Sequence, residues 1–115
     1  MVQDRDKVYL QHILDEIDKV ENFLYGVEER TFTVTDTTEK HYAVVRSLEI
    51  IGEAATKLSP EFRQAHRDIK WGNIIGMRNR IIHEYLDVDY QIVWDTVQQD
   101  LPVLKKALLE IVSDS

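Results

Sequence analysis

Apolar positions recur with a helical period over most of the chain. Leu10, Ile13, Leu14, Ile17, Val20 and Leu24 form one stripe, with acids and lysines on the opposite face, and predict a helix over 4–25. Gly26 is its stop. Residues 27–35 lose the period and read as a loop, because the β-branched run at 31–35 is short and sits between helical patterns. Asp36 is expected to be an N-cap, with Glu39 three residues on completing something close to a capping box. The second helix then runs to about 58 and turns Val44, Val45, Leu48, Ile51, Ala55 and Leu58 inward. Gly52 lies in its interior, where glycine costs close to ~1 kcal/mol relative to alanine. With Ala54 and Ala55 beside it, the expected compensation is close approach by another helix.

Ser59 and Pro60 read as a cap followed by proline at the first helical position, so a short helix is expected over 60–66. A turn leads through Ile69 to Trp71, where a third main helix spans 71–85. Val88 and Asp89 resemble a staple residue and an N-cap for a last helix, which runs to about 112 on Val93, Val97, Leu101, Leu104, Leu108 and Ile111. Pro102 removes one backbone bond inside it and predicts a kink. With neither repeat nor linker, the pattern predicts one all-α domain over 1–115: an up-and-down four-helix bundle with one short extra helix.

The third main helix carries the chemistry. At about 100° per residue, Ile74, Ile75, Ile81, Ile82 and Tyr85 share an arc roughly 120° wide, and Arg78 falls in its middle. A guanidinium centred on an apolar face is costly unless paired, and Glu49 or Glu53, one turn apart on the second helix, can supply the carboxylate. Asn79 and His83 stand at the i, i+4 spacing beside the arc. Met77, Arg80 and Glu84 face more open ground, Arg80 and Glu84 being a second such pair.

Composition narrows the classes. Apolar residues at 43% are too many for disorder. The absence of cysteine removes disulfides and thiolate zinc sites. His12, His41 and His66 have no ligand-spaced partner, so neither a metal nor a cofactor is expected. No apolar run approaches the roughly 20 residues that span a bilayer, and the N-terminus lacks a signal-peptide pattern, so the expectation is a cytoplasmic protein without a membrane role. A net charge of −7 argues against general phosphate binding. Its distribution softens that: within 60–85, Arg63, Arg67, Lys70, Arg78 and Arg80 outnumber Glu61, Asp68 and Glu84, with His66 and His83 in addition. The only locally basic stretch holds the motif. His66 with Arg63 and Arg67 is a candidate extension of a surface for an anionic ligand, whereas Trp71 and Trp94 read as packing residues.

The pattern Arg78-x-x-x-x-His83-x-Tyr85 resembles the signature of the HEPN superfamily, specifically its HepT-like toxins. The likeness extends in order through Ile51-Gly52-Glu53-Ala54-Ala55, Leu58-Ser59-Pro60-Glu61, Trp71, Ile75-Gly76-Met77-Arg78-Asn79, Val93-Trp94-Asp95 and Asp100-Leu101-Pro102, covering about 40–112. The resemblance implies the HEPN helical fold, a two-fold homodimer, and the toxin of a type VII toxin–antitoxin pair that cuts RNA without metal. Carried over by position, Arg78 and His83 are the catalytic candidates, with Asn79 in support. Tyr85 is the expected site where a partner antitoxin, the minimal nucleotidyltransferase MntA, attaches AMP and silences the enzyme, in the dimer or a higher assembly.

The residue types suit that chemistry. Histidine exchanges protons near neutrality, and arginine keeps its charge while its planar fork meets two phosphate oxygens. On an ideal helix Arg78 and His83 point roughly 140° apart, so either the helix frays near His83 or the second subunit completes the site. Tyr85, on the apolar arc, also fits a core tyrosine with its hydroxyl at the rim. Two other classes stand beside the enzyme: a non-catalytic HEPN module that binds a nucleotidyltransferase or nucleotide, which the acidic charge favours, and a plain helical dimerisation protein with Arg78 paired to Glu49 or Glu53.

Overall fold

The computed structural model describes residues 2–34, 38–84 and 87–114, and the side chains at 82–84 and 87 lie outside that description. Among the described residues the chain is all-α apart from one short pair of strands. Helix α1 (Asp4–Leu24) buries Leu10, Ile13, Leu14, Ile17, Val20 and Leu24, the stripe its periodicity announces. It packs chiefly on α3 (Glu39–Lys57), which turns Val44, Val45, Leu48, Ile51 and Ala55 inward to meet it. Gly26 follows α1 with φ +77°, a conformation that glycine adopts at little cost. Helix α4 (Pro60–Ala65) begins as expected: the Ser59 hydroxyl accepts from Phe62 N and Pro60 follows.

The expected loop over 27–35 contains a helix. Glu29–Val34 forms a short helix, α2, seated by Phe32, which is buried against the rings of His41, Tyr90 and Trp94. The second observation that fixes it is His41, 3% exposed on α3. Its Nδ1 accepts from Thr38 N at 2.9 Å, so the proton sits on Nε2, which donates to the Phe32 carbonyl at 2.7 Å. The cap of α3 is therefore Thr38 with His41 in a capping box; Asp36, the expected cap, lies outside the described residues. Tertiary packing overrides a local pattern too short to declare a helix.

The expected third main helix is divided. Trp71–Ile75 forms α5, Met77–Ile81 forms α6, and Ile82–Glu84 (β1) pairs antiparallel with Asp87–Val88 (β2). With α2 and α4, the described residues carry two short additional helices where one was expected. Asp89 caps the last main segment, its Oδ1 accepting from Gln91 N and Ile92 N at 3.1 Å. That segment runs as α7 (Tyr90–Asp95), a π-turn (Thr96–Asp100) and α8 (Leu101–Ser113). The distortion predicted at Pro102 lies in the turn before it. Pro102 has no N–H for the preceding carbonyls, and Leu101 N reaches back to Thr96 O in the wider π pattern, while the Thr96 hydroxyl donates to Ile92 O at 2.8 Å. Val93, Val97, Leu101, Leu104 and Leu108 are buried, and Ile111 is partly so.

Two long-range polar contacts tie the ends of the bundle. Asp6, 1% exposed, accepts from Ser59 N and Ser59 Oγ, both at 2.8 Å. Lys105 on α8 reaches Glu21 at 3.0 Å and Asp18 at 3.4 Å on α1, and the hydrogen bond to Glu21 raises its pKa above the ordinary lysine value.

Gly52 is where α3 meets α5. A Cβ there would stand 3.2 Å from Ile74 O and 3.4 Å from Ile75 O, so the glycine permits the close approach its position suggested. Gly72 has open space around the same position. Gly52→Val is expected to destabilise the fold by about 2 kcal/mol, since the obstructing atoms are backbone carbonyls. Gly72→Ala is expected to stabilise it by about 0.5–1 kcal/mol. Chemical denaturation of the two variants beside the parent measures both.

Candidate active site

Of the residues singled out by the motif, Arg78 and Asn79 lie on α6 and His83 in β1. The break between α5 and α6 falls at Gly76, whose N–H bonds Gly72 O at 2.9 Å and whose carbonyl accepts from Asn79 N at 3.0 Å. A Cβ at 76 would meet Gly72 O at 3.1 Å, so the tight turn favours glycine. Restarting the helix resets its phase. Met77 and Ile81, one turn apart and 1% and 0% exposed, become the core face. Arg78, Asn79 and Arg80 are consequently exposed together. This corrects the continuous-helix expectation, in which Arg78 lay at the centre of an apolar arc and Met77 faced outward.

After Ile81 the chain leaves the helix. Asp89 N takes the Ile81 carbonyl at 2.8 Å, and Ile82 pairs with Val88 in the strand register. Asn79 and His83 are therefore not one helical turn apart, and neither are Arg80 and Glu84. The backbone places His83 in β1, immediately beyond α6. The side chains of Ile82, His83 and Glu84 lie outside the described residues, as does Tyr85 altogether, so its expected place on the arc goes with them.

The two arginines of α6 turn to opposite sides. Arg78 Nε donates to Glu49 Oε2 on α3 at 3.3 Å, with side chains 57% and 24% exposed. Of the two carboxylates offered by α3, Glu49 is thus the partner; Glu53 faces Arg46 at 3.4 Å. Because the contact uses Nε, the terminal edge of the Arg78 fork carries no bond among the described residues. Arg80 donates to Asn73 O at 3.4 Å and lies 3.8 Å from Asp100 Oδ2 in the π-turn. Asn79, exposed between them, has no side-chain hydrogen bond among the described residues. Held at Nε and with no bond at its terminal edge among the described residues, the Arg78 fork can meet an anionic oxygen pair.

The other histidines and both tryptophans make packing or capping contacts. His41 is the capping residue described above, a role that the spacing Thr38-x-x-His41 hinted at and that sequence reasoning missed. His66 packs on Phe62 with ring centres 4.6 Å apart and gives its carbonyl to Trp71 Nε1 at 3.1 Å. His12 stands edge-on to the Tyr9 ring, with centroids 5.9 Å apart. Trp71 is buried, and Trp94 packs on Phe32. Among the described residues, no group of three or more His, Cys, Asp or Glu is placed to hold a metal, and no helix is long and apolar enough to cross a membrane.

The Arg78–Glu49 pair is half exposed, so solvent screens most of its attraction. Glu49→Ala is expected to lower stability by less than about 1 kcal/mol, read as the shift of the denaturation midpoint.

The family model described as ribonuclease HepT-like matches residues 13–111. A protein of Caldanaerobacter subterraneus subsp. tengcongensis, carrying the name "Putative RNase", is 41% identical over 90% of this chain and 91% of its own. A "Probable ribonuclease HepT" of Thermococcus cleftensis is 37% identical over 86% of this chain and 88% of its own. A "Putative RNase" of Methanocaldococcus jannaschii is 37% identical over 94% of this chain and 88% of its own. No solved structure matches the chain significantly. With its helical fold and a match that takes in Arg78, His83 and the elements that position them, the chain belongs to the HepT-like ribonuclease family of the HEPN superfamily.

Proposed function

We propose that this protein is a metal-independent endoribonuclease, the toxin of a type VII toxin–antitoxin pair, acting as a homodimer on RNA in the cytoplasm. The observation that carries the reading is the exposure of Arg78 with one edge of its fork held by Glu49 and the other open, five residues before His83 in a segment that leaves the helix at Ile81. Leaving the helix releases His83 from the roughly 140° separation that a continuous helix would impose. The reaction assigned to these residues is transfer of the scissile phosphate to the adjacent 2′-oxygen. His83 exchanges the protons of the 2′-hydroxyl and the leaving 5′-oxygen, and Arg78 balances the charge that develops on the phosphoryl oxygens. Asn79 supports by hydrogen bonding a phosphate oxygen. Glu49 is the positioning residue that aims Arg78. The second protomer supplies its own arginine and histidine to the cleft.

Tyr85 is the proposed modification site. A minimal nucleotidyltransferase would join its phenolic oxygen to the α-phosphorus of ATP with release of pyrophosphate, adding negative charge and bulk where the RNA phosphate binds. The second reading, a non-catalytic module that binds a nucleotidyltransferase or nucleotide, has one observation in its favour, the net charge of −7, which slows encounter with RNA.

The deciding experiment expresses the parent beside Arg78→Ala and His83→Ala. Growth arrest with fragmented RNA is expected for the parent alone, and cleavage by the purified protein is expected to survive a chelator. Each substitution is expected to lower cleavage by about 10²–10⁴-fold without loss of folding. Glu49→Gln is expected to lower the turnover rate and leave KM nearly unchanged. If the parent is harmless and RNA stays whole, the binding-module reading replaces the toxin.

A further inference from the structure

Arg80, the second cation of α6, faces a groove that the cleavage chemistry above does not use. Helices α5 and α6 pack on α3, α8 packs on α1, and the two units diverge where the π-turn leads into α8. The space between them is about 410 Å³. Its floor is apolar, made by Ile69, Met77, Leu101 and Leu104, each at most 9% exposed. One lip presents Lys70, Asn73 and Arg80, and Asp100 stands opposite.

We infer that this groove seats one unstacked base of the RNA strand, with Arg80 and Lys70 on the phosphate of that nucleotide. The inference rests on the ribonuclease reading above and names a subsite for it. The volume is within the range of clefts that enclose small ligands, and an apolar floor with a few polar groups on one edge is the usual composition of such clefts. RNA read as a single strand splays its bases into sites of this kind. The Asn73 amide on the lip offers both a donor and an acceptor to a base edge. The Arg80–Asp100 pair is the exchangeable element. At 3.8 Å, with side chains 42% and 56% exposed, it is weak, and a phosphate that takes the guanidinium bidentately displaces it readily. Arg78 lies two residues away on the same helical segment, facing α3, so a strand crossing α6 meets Arg78 on one side and the groove on the other.

The test uses the full chain and a fluorescent single-stranded oligoribonucleotide made uncleavable by 2′-O-methylation, with anisotropy as the readout. One abasic nucleotide is moved through the strand. A loss on the order of tenfold at a single position is expected for the parent. Arg80→Ala, at an exposed position, is expected to weaken binding on the order of tenfold and to reduce the slope of log affinity against log salt by about 1. Val103→Glu, on the exposed outer edge of the groove, is expected to weaken binding while leaving the melting temperature unchanged. Equal loss at every abasic position, or binding by Arg80→Ala equal to the parent's, overturns the subsite alone. Unchanged RNA binding with an altered oligomeric state in either variant overturns it in favour of a second copy in the groove. Failure of the parent to bind any RNA overturns the subsite and the ribonuclease reading together.

Discussion

The contact between α3 and the end of α5 governs the region that matters. At Gly52 the backbone of α3 lies so close to the carbonyls of Ile74 and Ile75 that a methyl group would crowd both. That approach places the last turn of α5, and the turn at Gly76 then sets the phase of α6. Met77 and Ile81 go inward and three polar residues go outward. A glycine that weakens the interior of a helix is compensated by the position it gives to the next one.

From that phase follows an electrostatic arrangement uncommon in so acidic a chain. Two guanidiniums on one short helix are each drawn to a different side, Arg78 to Glu49 and Arg80 to Asn73 and Asp100. Each pair is exposed enough to contribute little stability, so both cations are held in place and neither is neutralised by burial. That combination suits groups whose partner is an incoming anion. An arginine centred in the core would have needed a fully desolvated counter-charge and would have been unavailable to a phosphate.

The rest of the bundle supplies rigidity around this helix. His41 joins the start of α3 to α2 through a single neutral tautomer, Asp6 joins α1 to the start of α4, and Lys105 joins α8 to α1. The π-turn carries the helical run into Pro102, and its Asp100 lines the groove beside Arg80.

The amino-acid sequence by itself determined the apolar stripes of α1, α3 and the last segment, the caps at Ser59 and Asp89, the stop at Gly26, and the close approach at Gly52. These depend on periodicity or on one residue's intrinsic geometry, which neighbours in sequence suffice to express. It also presented Arg78, Asn79, His83 and Tyr85 as a group, and Glu49 as one of two partners for Arg78. The tertiary structure decided what depends on distant atoms. The seat of Phe32 between α3 and α7 makes a helix of residues that read as a loop. Asp6 is buried by Ser59, fifty-three positions away. The phase of α6 depends on a turn at Gly76 and on Asp89 taking the carbonyl of Ile81, and so the face on which Arg78 stands could not be read from a helical wheel. A wheel assumes an unbroken helix, and here the helix breaks at Gly76 and ends at Ile81, before the histidine.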